Sequence, residues 1–189
     1  VLKQDEVLSY PCVGEDHPGL RYFRSVRTTG RNESTVVALF SAKLLNTGTS
    51  YMKMWMPASS DVSYFTALAP SAKTASSPYQ SKPSLVVTMR KEKPAVEEPF
   101  VVVYEPISDK LSTGLIESVD RIKLDSLGKK GCAIKVKTKE GDTFTLVNIL
   151  KDGPVILNNQ KCCGDFAIFA KRKGKNSVYV GNGSFVENK

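Results

Sequence analysis

The feature that most constrains this chain is a period-two alternation of apolar and polar residues, which recurs in short segments. In residues 50–56, three methionines alternate with a tyrosine, a lysine and a tryptophan, and residues 134–139 alternate apolar residues with lysines. Successive side chains of a β-strand point to opposite faces, so each segment predicts a strand with one face in the core. Turn residues, as in 46–48 and 181–183, separate such segments, and helical periodicity is nearly absent. The sequence therefore predicts an all-β, antiparallel fold.

A change in amino-acid composition and strand length near residue 106 divides the chain into two predicted units. Before it lies a continuous apolar run at residues 100–104, typical of a strand that is covered on both faces. After a break at 106–113, the strands are shorter and more basic, and glycine turns are more frequent. We predict an antiparallel β-sandwich portion over residues 1–105 and a small, basic C-terminal β meander unit over 106–189. A chain of 189 residues is long enough to bury a core in this arrangement.

The termini and the apolar runs indicate what kind of segment this is. The chain does not begin with methionine, so we expect it to be part of a longer protein. Residues 1–10 carry three charges and lack the apolar stretch of a signal peptide. No apolar run approaches the ~20 residues that a membrane-spanning helix needs, so we expect no membrane span.

Positive charge is concentrated in the C-terminal unit. The chain has a net charge of +8, and residues 106–189 contain 15 Lys and Arg against 9 Asp and Glu. This excess could attract an acidic polymer, but a lysine-rich surface that only aids solubility is the more common reason for it.

A lysine row is the most distinctive surface feature. Lys135, Lys137 and Lys139 should share one face of a strand, and Lys123 and Lys151 could extend the row. Such a row can hold the sulfates or carboxylates of an acidic polysaccharide. Lysines are also common on edge strands, where they prevent sheet-to-sheet pairing, and this second interpretation is favoured here.

Aromatic residues offer a second possible contact with a sugar. Trp55, Tyr51, Tyr64 and Phe65 could form a platform that stacks on sugar rings, although core packing is the more common role of strand aromatics. The lysine row has no aromatic residues between its lysines, and base stacking would need them, so we expect no nucleic-acid partner.

No catalytic or metal-binding group is predicted. The only histidine, His17, lies in a loop beside Glu15 and Asp16, and no second histidine is present to complete a metal site or an acid–base pair. A Gly-x-Ser-x-Gly nucleophile motif and a phosphate-binding glycine loop are both missing from the sequence. We therefore expect no cofactor.

The cysteines do not have the spacing of a zinc site. Their positions are Cys12, Cys132, Cys162 and Cys163. Cys132 could pair with one of the two adjacent cysteines, but free buried thiols are the favoured interpretation, because a chain of this length does not need a disulfide to be stable.

Two segments resemble strands of the heparinase II/III-like polysaccharide lyases. Residues 85–90, Leu-Val-Val-Thr-Met-Arg, are followed after a polar loop by residues 99–106, Pro-Phe-Val-Val-Val-Tyr-Glu-Pro. This pair is similar to the closing strands of the β-sandwich in that family. The segments at 21–26, 36–40 and 50–57 resemble its order of strands, so that the resemblance extends over residues 19–106.

The resemblance implies a supersandwich-like β-sandwich and a small β unit at the C-terminal end of a larger enzyme. Enzymes of that family cleave uronic-acid polysaccharides by β-elimination, with a catalytic tyrosine from an (α/α) toroid and further groups from sandwich histidines. This chain contains neither the toroid nor a histidine within residues 44–56, so no catalytic or metal residue is carried over. The implied partners are the helical domain of the same protein and an acidic polysaccharide, in a periplasmic or secreted bacterial setting.

We therefore expect a non-catalytic β-domain fragment whose parent protein is a polysaccharide lyase. Its candidate polysaccharide-binding residues are Lys135, Lys137, Lys139, Lys123 and Trp55. A stand-alone carbohydrate-binding module is the alternative, and an intact small enzyme is the least favoured of the three.

Overall fold

The computed structural model describes residues 3–4, 24–32, 34–44, 48–69, 84–91, 95, 99–109, 113–122, 131–149, 155–157 and 160–187. Within these ranges every regular element is a β-strand, and antiparallel pairing builds the sheets. The predicted all-β antiparallel fold is confirmed. The described residues contain no helix long and apolar enough to cross a membrane.

The described part of the chain contains fifteen strands. In chain order they are β1 (Lys3–Gln4), β2 (Arg24–Asn32), β3 (Val36–Leu44), β4 (Gly48–Met56), β5 (Ser59–Ala69), β6 (Ser84–Lys91), β7 (Val103–Ile107), β8 (Ile116–Ile122), β9 (Gly131–Thr138), β10 (Thr143–Ile149), β11 (Val155–Leu157), β12 (Gln160–Cys163), β13 (Phe166–Arg172), β14 (Lys175–Gly181) and β15 (Ser184–Glu187).

The first compact unit comprises residues 1–32 and 60–92. Its sheet has the strand order β1-β2-β5-β6. Val26, Phe65 and Ala67 are buried together in this sheet, and Val86 packs against them. Asp61 and Lys91 form an ion pair in this unit with 3.0 Å between Oδ2 and Nζ, and their side chains are only 6% and 2% exposed. A pair this deeply buried depends on both partners, because either charge alone would be costly to keep from water.

The second compact unit comprises residues 33–59 and 93–189. It contains a three-stranded sheet β3-β4-β7, a five-stranded sheet β14-β13-β10-β9-β8, and a three-stranded sheet β11-β12-β15. The predicted hairpin at residues 140–142 is confirmed, since it joins β9 to β10, and Gly141 takes the positive φ of 85° that this turn requires.

Two sheets of this unit pack face to face. Val119, Ile134 and Val136 of the five-stranded sheet form a buried cluster with Val101, and side chains of the β3-β4-β7 sheet, including Trp55, pack against it. This is the packing of a β-sandwich, in which each sheet contributes one apolar face to a shared core.

The methionines of β4 show how far the alternation holds. Met54 and Met56 are buried, as predicted, but Met52 is 38% exposed.

The predicted domain boundary at residues 105 and 106 falls inside β7, and the division into units 1–105 and 106–189 stays a prediction. Pro106 fits within β7 because this strand is at the edge of its sheet, where one side needs no ladder hydrogen bonds.

Candidate functional site

The predicted lysine row lies on β9 of the five-stranded sheet. Ile134 and Val136 are buried, whereas Lys135 and Lys137 are exposed, so the structure shows the predicted alternation. β9 pairs with β8 on one side and with β10 on the other, and it is therefore an interior strand. The interpretation of these lysines as protection of an edge strand is wrong, because strand order is a long-range property that the local alternation does not contain.

The register of the sheet brings another lysine to the same face. Lys137 is paired with Thr143, which is paired in turn with Lys171 of β13. Directly paired residues point to the same face of a sheet, and adjacent strands are about 4.8 Å apart, so Lys137 and Lys171 lie on strands about 10 Å apart. We call Lys135, Lys137 and Lys171 the lysine face.

Acidic residues of β8 border the lysine face on one side. Glu117 forms an ion pair of 2.9 Å with Lys137, and both side chains are about half exposed. Asp120 is the register partner of Lys135. Exposed pairs of this kind are worth less than about 1 kcal/mol and exchange readily for other ions. The positive charge of the face is therefore greatest toward Lys171, away from β8.

Lys139 has a different environment from the other two predicted lysines. It lies in the β9–β10 turn, and its Nζ donates to the carbonyl oxygens of Thr113 and Gly114, each at 2.9 Å. The Nζ of Lys53 also donates to the Thr113 carbonyl oxygen. These two ammonium groups thus anchor the segment that leads into β8, and Lys139 does not extend the lysine face.

Trp55 is part of a buried polar cluster. Its indole Nε1–H donates to Oε2 of Glu105 at 2.9 Å. The other carboxylate oxygen of Glu105 accepts from the backbone N–H of Leu115 and, at 2.8 Å, from that of Ile116. Glu105 is only 6% exposed, and the side chain of Trp55 packs against the shared core of the two sheets. The structure thus gives Trp55 a packing partner and a hydrogen-bond partner within the protein.

Two of the other aromatic residues proposed for a sugar platform are in the core. Tyr64 is 1% exposed and Phe65 is 8% exposed. Their faces cannot reach a sugar ring, so the platform interpretation is wrong for these two residues.

The densest cationic segment is the turn between β13 and β14. Arg172, Lys173 and Lys175 are exposed around Gly174. Lys173 and Gly174 have φ values of 47° and 77°, as a two-residue type I′ turn requires, and the glycine adopts its angle without steric cost. We call Arg172, Lys173 and Lys175 the hairpin tip.

A buried carboxylate holds the hairpin tip in place. Asp142, which is 8% exposed, accepts from the backbone N–H of Lys173 at 3.1 Å and from Nε of Arg172 at 3.3 Å. The side chain of Arg172 nevertheless remains 67% exposed. The sequence reasoning missed this site, although the run Lys-Arg-Lys-Gly-Lys at residues 171–175 was a usable signal.

Several predicted residues lie outside the described part of the chain, namely Lys123, Lys151, His17 and Cys12. Cys132 and Cys163 carry free thiols. Burial raises the pKa of the Cys132 thiol above its ordinary value of 9.0, and the nearby charge of Arg121 partly offsets this effect. Among the described residues, no group of three or more His, Cys, Asp and Glu side chains is arranged to hold a metal ion.

Comparison with known proteins gives one informative match. The chain is 36% identical over 89 residues to a protein from Formosa agariphila named endo-acting ulvan lyase. The matched segment is 47% of this chain but only 10% of that enzyme. No protein-family model and no solved structure matches the chain. The match supports a relationship to a polysaccharide lyase, and it does not extend to the heparinase II/III-like family specifically.

Proposed function

We propose that this chain is a non-catalytic β-domain of a polysaccharide lyase and that it holds an acidic polysaccharide on its basic C-terminal sheet. The observation that carries the proposal is the 36% identity to the ulvan lyase over 89 residues. In this proposal the parent protein is heparinase II/III-like and acts outside the cytoplasm, in the periplasm or after secretion. The helical domain implied by the resemblance supplies the catalytic groups.

The distribution of charge supports the binding part of the proposal. The lysine face and the hairpin tip together present six exposed cations on strands β9, β13 and β14 of one sheet and in the β13–β14 turn. Exposed ammonium and guanidinium groups on a rigid sheet can contact successive anionic groups of an extended polymer, and each contact adds a modest, salt-dependent attraction. The acidic residues Glu117 and Asp120 of β8 border the lysine face, and the buried Asp142 is bonded to Arg172 at the hairpin tip.

The state of the buried carboxylates supports the non-catalytic part. Asp61, Glu105 and Asp142 are the buried acidic residues in the described part of the chain. Each is engaged by donors of the protein itself: Asp61 by Lys91, Glu105 by Trp55 and two backbone N–H groups, and Asp142 by Arg172 and a backbone N–H. A general base needs an oxygen that can reach a substrate proton, and these oxygens are already occupied within the fold.

The test is a binding measurement with this chain against ulvan, alginate and heparin at low and high salt. We expect salt-sensitive binding to at least one of the three, and no release of unsaturated sugar products detected by ultraviolet absorbance. The double variant Lys135→Gln/Lys137→Gln should bind about three- to tenfold more weakly, as expected for the loss of two exposed charge contacts. The matched control Lys135→Arg/Lys137→Arg keeps both charges and should bind like the wild type.

Two results would contradict the proposal. Absence of binding to all three polysaccharides at low salt would leave no role for the basic sheet. Release of unsaturated products by the chain alone would show that it is an enzyme.

A further inference from the structure

We infer that Phe166 and Tyr179 form a sugar-stacking subsite on the face of the five-stranded sheet opposite the lysine face. This inference rests on the proposed function, and it adds a specific contact with the sugar rings to the charge contacts proposed there. The ligand is an acidic polysaccharide whose rings lie on the aromatic pair while its anionic groups reach the hairpin tip.

The register of the sheet places the aromatic pair away from the lysine face. Phe166 is paired with Asn148, and Tyr179 is paired with Ile168, which is paired with Leu146. The lysine face belongs to the alternate set, in which Lys135 is paired with Thr145. Because side chains alternate between the two faces along each strand, the two surfaces lie on opposite sides of the sheet.

The two rings form an exposed pair, and a glycine leaves room for one of them. The ring centroids of Phe166 and Tyr179 are 5.8 Å apart with an interplanar angle of 41°, and the side chains are 38% and 60% exposed. The Phe166 ring lies against Gly181, where a Cβ atom would come within 2.5 Å of Cζ. Any larger residue at position 181 would displace the ring, so the position of Phe166 requires a glycine there.

The exposure of this pair has no explanation in the core. The same face of the sheet contributes Val119, Ile134 and Val136 to the shared core, where Trp55 packs against them. At the β13–β14 side of that face Tyr179 stays mostly in contact with solvent. Two aromatic side chains in mutual contact on an exposed sheet face form an apolar surface, and the face of either ring suits the C–H groups on one side of a sugar ring.

Cations lie on the same face within reach of a polymer bound to the rings. Arg172 and Lys175 are register partners, and both lie on the face of Tyr179. Tyr179 lies four positions after Lys175 along β14, a distance of about 13 Å, and the exposed Ser177 lies between them. An extended polysaccharide along β14 therefore meets an aromatic pair, a hydroxyl group and two cations in turn. This order of groups complements a chain of sugar rings that carries carboxylates or sulfates.

The anchoring of the hairpin tip makes this geometry available before binding. Asp142 bonds both Nε of Arg172 and the backbone N–H of Lys173, so the cations do not depend on the ligand to order the turn. Preorganised groups lose less conformational entropy when they bind, and they therefore contribute more to affinity.

The experiment compares single variants in binding to whichever of ulvan, alginate and heparin the wild type binds best. Tyr179→Ala should lower the affinity about tenfold, which corresponds to a loss of about 1.4 kcal/mol, and should leave the salt dependence unchanged. Tyr179→Phe keeps the ring and should remain within about twofold of the wild type. Leu85→Ala is the matched control, because Leu85 is 62% exposed and lies in the other compact unit. Arg172→Gln/Lys175→Gln should instead lower both the affinity and its salt dependence.

Each outcome has a defined meaning for the inference. If the wild type binds and Tyr179→Ala binds within twofold of it, the stacking subsite is refuted while the proposed function stands. If Tyr179→Phe is as weak as Tyr179→Ala, the contact depends on the hydroxyl group, and stacking is again refuted. If the wild type binds none of the three polysaccharides, the proposed function fails and the subsite fails with it. Since Tyr179 is mostly exposed, its variants should have the urea midpoint of the wild type, which checks that they fold.

Discussion

The close approach of Gly114 to Glu105 makes a sharp prediction about stability. Gly114 has φ of 72°, and a Cβ atom at this position would lie 2.6 Å from Cδ and 2.7 Å from Oε2 of Glu105. The carboxylate cannot move away freely, because the Trp55 indole and two backbone N–H groups bind it. Gly114→Ala therefore forces either the loop or the carboxylate to shift.

Two costs add in the Gly114→Ala variant. An alanine held in the left-handed region costs roughly 1–2 kcal/mol. Overpacking of a tight site lowers the free energy of unfolding by about a further 1–3 kcal/mol. Gly141→Ala is the matched control, because Gly141 has φ of 85° and no described atom lies within 4 Å of the position that a Cβ atom would take. The control should suffer only the backbone cost, so the two variants should differ by about 1–3 kcal/mol in the free energy of unfolding.

Urea unfolding followed by tryptophan fluorescence measures this difference directly. Trp55 is the only tryptophan, and its indole N–H is bonded to Glu105 itself. With a denaturant slope of about 2 kcal/mol per M, the midpoint of Gly114→Ala should lie about 0.5–1.5 M below that of Gly141→Ala. Equal midpoints for the two variants would show that the carboxylate cluster is not tightly packed, and would refute the reasoning.

Two further predictions concern a half-buried thiol and a buried ion pair. Because the pKa of the Cys132 thiol is raised in the folded state, the folded protein holds the thiol proton more tightly than the unfolded protein does. The stability advantage of the wild type over Cys132→Ala should therefore shrink as the pH rises above 9.0. Urea midpoints at pH 7 and about pH 10 check this, and an advantage that grows with pH would contradict it. Lys91→Met removes the cation from a buried pair and should lower the free energy of unfolding by about 3–5 kcal/mol, measured by urea unfolding followed by circular dichroism. The double variant Asp61→Asn/Lys91→Met should lower the free energy of unfolding by less. A double variant as unstable as the single one would show that the unpaired charge of Asp61 is not the cause.

Local patterns in the sequence predicted the strands and their faces well. The alternation in residues 134–139 identified the buried side of β9, and Glu140-Gly-Asp142 identified its hairpin turn. Both features depend on residues close together in the chain, where the period of two and the φ requirement of a glycine act directly. The run at 100–104 was less informative. β7 begins only at Val103, and Phe100 and Tyr104 are 50% and 58% exposed, so the predicted strand covered on both faces is wrong.

The arrangement of the candidate site could not be predicted, because it depends on strand order. Nothing near Lys137 in the sequence indicates that Lys171 lies two strands away on the same face. The roles of Lys139 and Trp55 likewise come from long-range partners, the carbonyl oxygens of the 113–114 segment and the carboxylate of Glu105. Alternation assigns a side chain to a face, but only the register determines which other side chains share that face.

The hairpin tip determines how the two surfaces of the five-stranded sheet can act together. Lys171 points to one face and Arg172 to the other, because they are successive residues of β13. A polymer that passes around the tip can therefore contact the lysine face and the face that carries Tyr179 without a break in positive charge. Charge contacts weaken with salt, whereas stacking on Phe166 and Tyr179 does not. Loss of the tyrosine ring should therefore lower the affinity by the same factor at every salt concentration and leave the salt dependence unchanged.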